Sequence, residues 1–194
     1  MVFDGILLSL IVGFLRRGTL KGLADLNLKF GWIFPILLGI QILIFTLQRR
    51  FELLEQISGF LFILIYVIGL FFLWVNRANK GFILLFVGVF FNFIAIALND
   101  GRMPVSYEAA AIALDPYYTE ILKSGLYAKH AMITESTNFS FLGDVIPITS
   151  PYPKSQVISI GDIIMNIGIF IFIQHLMLLH KRVKPSVASF KGGE

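Results

Sequence analysis

The stretch ISGFLFILIYVIGLFFLWV, from Ile57 to Val75, decides the fold because none of its 19 residues is charged. A helix of this length crosses the roughly 30 Å of hydrocarbon in a bilayer. Four further apolar segments flank it in the chain. They are Val2–Leu15, Phe30–Leu47, Gly81–Leu98 and Val157–Leu179. We therefore predict an all-α membrane protein with five transmembrane helices.

The composition of the whole chain agrees with this prediction. Hydrophobic residues make up 57% of the 194 residues and charged residues only 14%, and the mean hydropathy is +0.82. Soluble domains carry roughly 25% charged residues. The composition therefore excludes a soluble enzyme and a disordered tail, and the absence of cysteine excludes a disulfide scaffold.

The basic residues predict the orientation of the five helices, because lysine and arginine favour cytoplasmic loops. With the N-terminus outside, ten basic residues lie on the cytoplasmic side near the ends of spans, and the short outer loops hold two. The ten are Arg16, Arg17, Lys21, Lys29, Arg77, Lys80, Lys181, Arg182, Lys184 and Lys191. We predict an N-out, C-in topology. Because these residues are scattered rather than gathered on one face, we expect no nucleic-acid partner.

The predicted spans divide the chain into four parts. Residues 1–98 hold the first four transmembrane helices, and residues 157–180 form the fifth. Residues 181–194 form a basic cytoplasmic tail. The segment 1–15 lacks the basic start and the small-residue cleavage site of a signal peptide, so we interpret it as a short first span.

Residues 99–156 form a long extracytoplasmic loop that contains five of the seven prolines and many apolar residues. Ser106 is a candidate N-cap for a helix that continues to Leu114, and a second short helix is predicted from Pro116 to Lys123. A proline-rich return segment follows. We expect this partly helical loop to lie across the outer end of the helices.

Four motifs in and after this loop carry a resemblance to a known family. They are NDGRMPVS at residues 99–106, AKH at 128–130, FLGDVIP at 141–147 and SIGD at 159–162. Together they resemble a bacterial family of small integral membrane proteins catalogued as a domain of unknown function (fifty-three-seventeen). Asp100 stands where the family pattern has a glycine. The resemblance implies a multi-pass protein of the bacterial plasma membrane with five spans, and it implies no activity.

Two Gly-Asp pairs place the candidate carboxylates Asp144 and Asp162 at the outer surface. Each aspartate has a structural interpretation, because an aspartate caps backbone N–H groups at a turn or a helix start. Asp162 lies about one helical turn inside the last span, where an ionisable group is costly and often functional. Capping, or pairing with Arg102 or Lys129, is the alternative for Asp162.

Three amide side chains, Gln41, Asn92 and Asn166, lie in three different spans at a similar predicted depth, roughly 10–12 Å below the outer ends. We favour the interpretation that they hydrogen-bond between helices, which contributes on the order of 1 kcal/mol each. The alternative is a polar cleft that has the three amides at its base and is covered by the loop. Small residues also point to packing: Gly81 and Gly88, like Gly161 and Gly168, share one helix face.

His130 is a candidate for catalysis or ligand binding beside Asp144 and Asp162, and a contact of His130 with lipid headgroups is the simpler alternative. No paired histidine spacing is present, so we predict no metal site, and no nucleotide or haem motif indicates a cofactor. The predicted catalytic candidates are therefore His130, Asp144 and Asp162. The predicted ligand-binding residues are Arg102, His130, Asp144, Asp162, Asn166, Asn92 and Gln41.

These observations favour a non-enzymatic membrane protein whose outer loop binds a lipid, a small ligand or a partner membrane subunit. The expected partners are the lipid bilayer and either another membrane subunit or a second copy of the chain. The alternative is a membrane-embedded enzyme or transporter that acts on an isoprenoid or lipid substrate at the outer leaflet, with Asp144, Asp162, His130 and Arg102 as its working residues.

Overall fold

The computed structural model of the chain describes residues 2–47, 51–123 and 129–182. These residues form eight α-helices: α1 (Val2–Leu15), α2 (Lys21–Ala24), α3 (Ile33–Leu47), α4 (Glu52–Val75), α5 (Phe82–Ala97), α6 (Tyr107–Ala113), α7 (Pro116–Lys123) and α8 (Ile160–Arg182). They also form four short strands: β1 (Met103–Val105), β2 (His130–Met132), β3 (Ile146–Ile148) and β4 (Gln156–Ile158). The protein is therefore mostly helical.

The main contacts between the long helices follow an order that differs from their order in the chain. α1 packs against α8, α8 against α5, α5 against α4, and α4 against α3. The last helix thus lies between the first helix and α5, and the short α2 packs against it as well. α1 and α3 consequently lie at the two ends of this series of contacts.

The closest approach in the series joins α5 and α8 through glycines that face each other. A Cβ atom added to Gly88 would lie 2.5 Å from the carbonyl oxygen of Gly161. A Cβ atom added to Gly168 would lie 2.9 Å from the carbonyl oxygen of Gly81. The two antiparallel backbones therefore touch directly at both glycine pairs.

Two helices contain a segment long and apolar enough to cross a membrane, namely Ile57–Val75 and Ile160–Leu179. The segments Asp4–Leu15, Ile33–Ile44 and Phe82–Ala97 are apolar helices of only 10–17 residues. Length and hydropathy thus support two spans. The five-span arrangement and its orientation stay predictions.

Two of the predicted apolar segments begin a few residues before the helices that they contain. The segment expected from Phe30 becomes helical only at Ile33, because Phe30 has a positive φ of 56° in the preceding turn. The last helix starts at Ile160 rather than Val157, because residues 156–158 pair with β3 instead. α8 continues to Arg182, so the predicted tail begins inside the helix, and residues 183–194 lie outside the described residues.

We call residues 99–159 the loop domain. Both of its helices have the predicted positions, and the Ser106 side chain accepts a hydrogen bond from the Ala109 N–H as the N-cap of α6. The all-α prediction did not include the four strands that the structure contains. β1 pairs with β2 in parallel, and β3 pairs with β4 in antiparallel fashion. Of the predicted AKH motif, Ala128 lies outside the described residues.

Candidate functional site

Asp144 joins the two small sheets of the loop domain through its backbone. Its N–H donates to the carbonyl of Pro104 at 2.8 Å, and its carbonyl accepts from the N–H of Ser106 at 2.9 Å. The next residue, Val145, donates its N–H to the carbonyl of Ile158 in β4. β1 therefore lies between β2 and the segment that carries Asp144, and this arrangement brings the side chains of His130 and Asp144 together.

The imidazole Nε2 of His130 lies 3.5 Å from the carboxyl Oδ2 of Asp144. The Asp144 side chain is 12% exposed and the His130 side chain is 26% exposed, so the aspartate is the deeper partner. The sequence analysis placed His130 beside Asp144 as a hypothesis, and the structure brings the two side chains together although thirteen residues separate them in the chain.

Burial shifts the pKa of both side chains in the direction that favours the uncharged form. Burial raises the pKa of Asp144 to about 8, the negative charge of Asp162 adds to this shift, and the positive charge of Lys129 opposes it. Burial lowers the pKa of His130 to about 4, and Lys129 adds to that shift. Between these two pKa values the pair consists of a protonated carboxyl group beside a neutral imidazole, which is an arrangement that can donate or accept one proton.

Asp162 forms the second part of the site, together with Ser159 and Asn92. The N–H of Asp162 donates to Ser159 Oγ at 3.0 Å, and the N–H of Ser159 donates to Asp162 Oδ2 at 3.2 Å. This reciprocal pair is a capping box, which starts α8. The Asn92 amide of α5 donates to Asp162 Oδ1 at 3.0 Å, and the Ser159 hydroxyl donates to Asn92 Oδ1 at 2.8 Å. The network ties the start of α8 to α5.

The structure brings together some of the predicted ligand-binding residues and separates others. Asn166 donates its amide to the carbonyl of Asp162 at 2.8 Å, and it faces Gly5 of α1. Gln41 lies on α3, whose main contact is with α4, and so it is away from the polar residues of α5 and α8. Among the described residues, no ion pair joins Arg102 to Asp144 or Asp162.

Ser159 and Tyr66 were not candidates in the sequence analysis, and Lys129 was considered only as a partner of Asp162. Ser159 is fully buried, and its spacing to Asp162 is the signal of a capping box. Lys129 is adjacent in sequence to His130 and influences both members of the pair electrostatically. Tyr66 of α4 packs against the cluster of Ala95, Ile96, Met103 and Leu142 that joins the helices to the loop domain. No local sequence pattern distinguishes Tyr66 from its apolar neighbours.

A second group of buried polar residues lies at the far end of the α1–α8 contact. Gln174 donates its amide to the carbonyl of Ser9 at 2.6 Å and accepts a hydrogen bond from Arg16 at 2.9 Å. Ser9 is fully buried and Gln174 is 5% exposed. These contacts hold α1 against α8, about twelve residues along α8 from Asp162.

A groove of about 560 Å³ lies between α1 and α8 at the end that carries the loop domain. Its walls are apolar side chains of the two helices, and its polar end is formed by Asp4, Tyr152 and Asn166. The groove therefore contacts the same turn of α8 as the network around Asp162, on the side that faces α1.

Within residues 2–47, 51–123 and 129–182, no group of three or more histidine or acidic side chains is close enough together to hold a metal ion.

The model of the family of unknown function DUF5317 matches residues 25–174 of the chain. The chain belongs to this family. The matched range contains the His130–Asp144 pair, the network of Asn92, Ser159 and Asp162, and most of α8.

An uncharacterized protein of Thermotoga maritima is 33% identical to this DUF5317 member over 172 residues, which cover 89% of each chain. No solved structure matches the chain. The resemblance drawn from the four sequence motifs is thereby confirmed at the level of the family.

Proposed function

We propose that this DUF5317 member is a multi-pass protein of the bacterial plasma membrane whose loop domain, on the outer face, binds a small polar ligand at the His130–Asp144 pair. In this proposal α1, α3, α4, α5 and α8 cross the membrane with the N-terminus outside. The protein acts by binding rather than by catalysis, and the ligand is a lipid headgroup or another small molecule that forms hydrogen bonds.

The membrane placement is supported by the exposure of the apolar helices. Only 17% of the Ile57–Val75 segment and 28% of the Ile160–Leu179 segment is buried inside the protein. Helices in the core of a soluble protein bury most of their apolar surface. The exposed apolar side chains of α1, α3 and α4 require an apolar environment in the same way.

The observation that carries the binding site is the buried pair itself. Removing an imidazole and a carboxyl group from water costs free energy, and the two side chains lie 3.5 Å apart in the loop domain. The partly exposed imidazole lies at the surface of the loop domain, where a ligand can reach it. By contrast, Asp162 is occupied in capping α8 and bonding Asn92, which favours a binding function over catalysis by paired carboxylates.

The absence of cysteine makes the topology directly testable. In intact cells, a membrane-impermeant maleimide should label Glu135→Cys in the loop domain. It should label Ala78→Cys, between α4 and α5, only after the cells are permeabilised. Labelling of both variants in intact cells, or of neither variant before permeabilisation, contradicts the proposed orientation.

The ligand is tested by extracting purified protein and comparing the bound small molecules by mass spectrometry. We expect a compound that is retained by the natural protein and by Lys154→Ala, an exposed control within the loop domain, and that is lost from His130→Ala. If the three proteins retain identical compounds, the His130–Asp144 pair does not bind a ligand.

A second candidate function, an enzyme or transporter for an isoprenoid or lipid substrate, is favoured by the groove between α1 and α8. This groove is open along its apolar walls and reaches Asn166, which is bonded to Asp162. Turnover of a polyisoprenyl phosphate in reconstituted vesicles, abolished by Asp162→Asn in a folded protein, would favour this candidate over the binding function. Asparagine also caps helices, so α8 should still form in that variant.

A further inference from the structure

The groove between α1 and α8 lies between helices that contact each other at both ends. Near the loop domain, Gly5 packs directly on Asn166. At the other end, Thr19 donates its N–H to the carbonyl of Met177 at 2.9 Å, and Gln174 bonds the carbonyl of Ser9. The groove is therefore formed before any ligand arrives, as most ligand sites are.

The lining of the groove changes from polar to apolar along its length. Tyr152 and Asn166 lie at the end covered by the loop domain, and the Tyr152 hydroxyl is hydrogen-bonded to Asp4. The apolar walls are Leu7, Leu8 and Ile11 of α1 and Ile163, Ile167 and Phe170 of α8, and of these α8 residues only Ile163 precedes Asn166. This gradient matches a molecule with a polar head and an aliphatic chain.

The dimensions of the groove decide what kind of chain it takes. From Asp4 to Ile11 the wall extends seven residues, or about 10 Å along the helix, which is about two thirds of one leaflet's hydrocarbon. Its volume of about 560 Å³ lies within the range of small-molecule sites.

We propose that the groove binds one acyl chain of a phospholipid in the outer leaflet, with the polar end of the lipid beside Tyr152 and Asn166. This inference rests on the membrane placement proposed above. Leu7, Leu8 and Ile167 are each about half exposed in the protein alone, and the acyl chain covers these side chains when it is bound.

The test uses the full-length protein in vesicles of phosphatidylethanolamine and phosphatidylglycerol that contain phosphatidylethanolamine with a diazirine in one acyl chain. After illumination, cross-links are mapped by peptide mass spectrometry. We expect cross-links on the α1 peptide with residues 7–11 and on the α8 peptide with residues 163–170. Ile167→Trp, which fills the groove, should reduce the α1 cross-links several-fold.

Ile171→Trp is the matched control, because Ile171 is exposed on the same helix one turn further along and does not line the groove. It should leave the α1 cross-links unchanged. Leu8→Trp tests the opposite wall if Ile167→Trp fails to fold. Unchanged labelling in both groove variants, or equal loss in the Ile171→Trp control, overturns the inference.

Two other occupants give distinct results, and each contradicts the inference. Displacement of the label by a polyisoprenyl phosphate, but not by added phospholipid, identifies an isoprenoid chain. Disulfide-linked dimers of Leu7→Cys identify a second copy of the protein. The maleimide labelling of Glu135→Cys and Ala78→Cys separates these outcomes from a failure of the membrane placement itself, because it reports on topology whether or not the groove is occupied.

Discussion

His130 Nε2 and Asp144 Oδ2 lie 3.5 Å apart at the point where the two small sheets of the loop domain meet. The contact joins the side chains of two strand segments that flank β1 on opposite sides. Because the pKa values of both groups are shifted in the folded protein, the protonation state of this pair and the stability of the loop domain are linked.

The stability of the protein should fall between about pH 6.5 and pH 8. In this range the folded state keeps a proton on Asp144, whose pKa is raised from 3.8 to about 8, and the unfolded state does not. Between about pH 4 and 6.5 the two groups have opposite effects on stability. The pKa of His130 is lowered from 6.5 to about 4, so in this range the unfolded state binds a proton at His130 that the folded state does not. Over these 1.5 pH units the free energy of unfolding should fall by at most about 2 kcal/mol. Thermal unfolding in detergent across this pH range measures the change.

The Asp144→Asn variant provides the control for this pH dependence. It should lose the decrease above pH 6.5 and show a rise in stability from pH 4 to 6.5, which comes from His130 alone. A variant with the same pH profile as the natural protein would show that Asp144 does not hold the proton.

Ser159→Ala should lower the melting temperature markedly. The change removes the N-cap of α8 and leaves Asn92 Oδ1 without its buried donor, and loss of an N-cap alone costs about 1 kcal/mol. Ser155→Ala, an exposed serine four residues earlier, is the control and should melt like the natural protein. Equal melting temperatures for the two variants would mean that the capping box contributes little.

Gly88→Ala should prevent α5 and α8 from packing, because the new methyl group would lie 2.5 Å from the carbonyl oxygen of Gly161. We expect loss of folded protein in size-exclusion chromatography. Gly69→Ala and Gly39→Ala, on helices α4 and α3 with nothing within 4 Å, should be neutral or stabilise by up to about 1 kcal/mol, because alanine favours helices over glycine. If Gly88→Ala behaves like these two, the close helix contact is wrong.

Asp100→Gly should raise the melting temperature. Asp100 has a φ of 55°, a left-handed conformation that costs a non-glycine residue about 1 kcal/mol. The neighbouring Gly101 has a φ of 75° and faces Gly59 of α4, so Gly101→Ala should destabilise the same turn. A lower melting temperature for Asp100→Gly would mean that the aspartate side chain stabilises the turn by more than this strain.

The turn at Asp100 also shows how far a family pattern can be used. The resemblance indicated a glycine at this position, and the structure has the backbone conformation that glycine favours. The aspartate adopts it because a short polar side chain tolerates the left-handed region better than most. The departure from the family pattern at Asp100 therefore does not remove the left-handed turn conformation.

Local patterns predicted the helices of this protein well. The apolar run Ile57–Val75 forms most of α4, and α7 has the predicted bounds Pro116–Lys123. These elements depend on residues that are close in sequence, through backbone hydrogen bonds and end caps. The three-residue strands were not predicted, because each is too short to show an alternating pattern and depends on a partner far along the chain.

The sequence by itself determined the membrane-like composition, the long helices, the cap at Ser106 and the membership of a family. The tertiary structure alone decided that His130 meets Asp144, that Ser159 and Asn92 bind Asp162, and that Gln41 lies apart on α3. The reason is that helix formation is governed by near neighbours in the chain. The protonation of a buried pair is instead governed by groups that only packing brings within a few ångströms of each other.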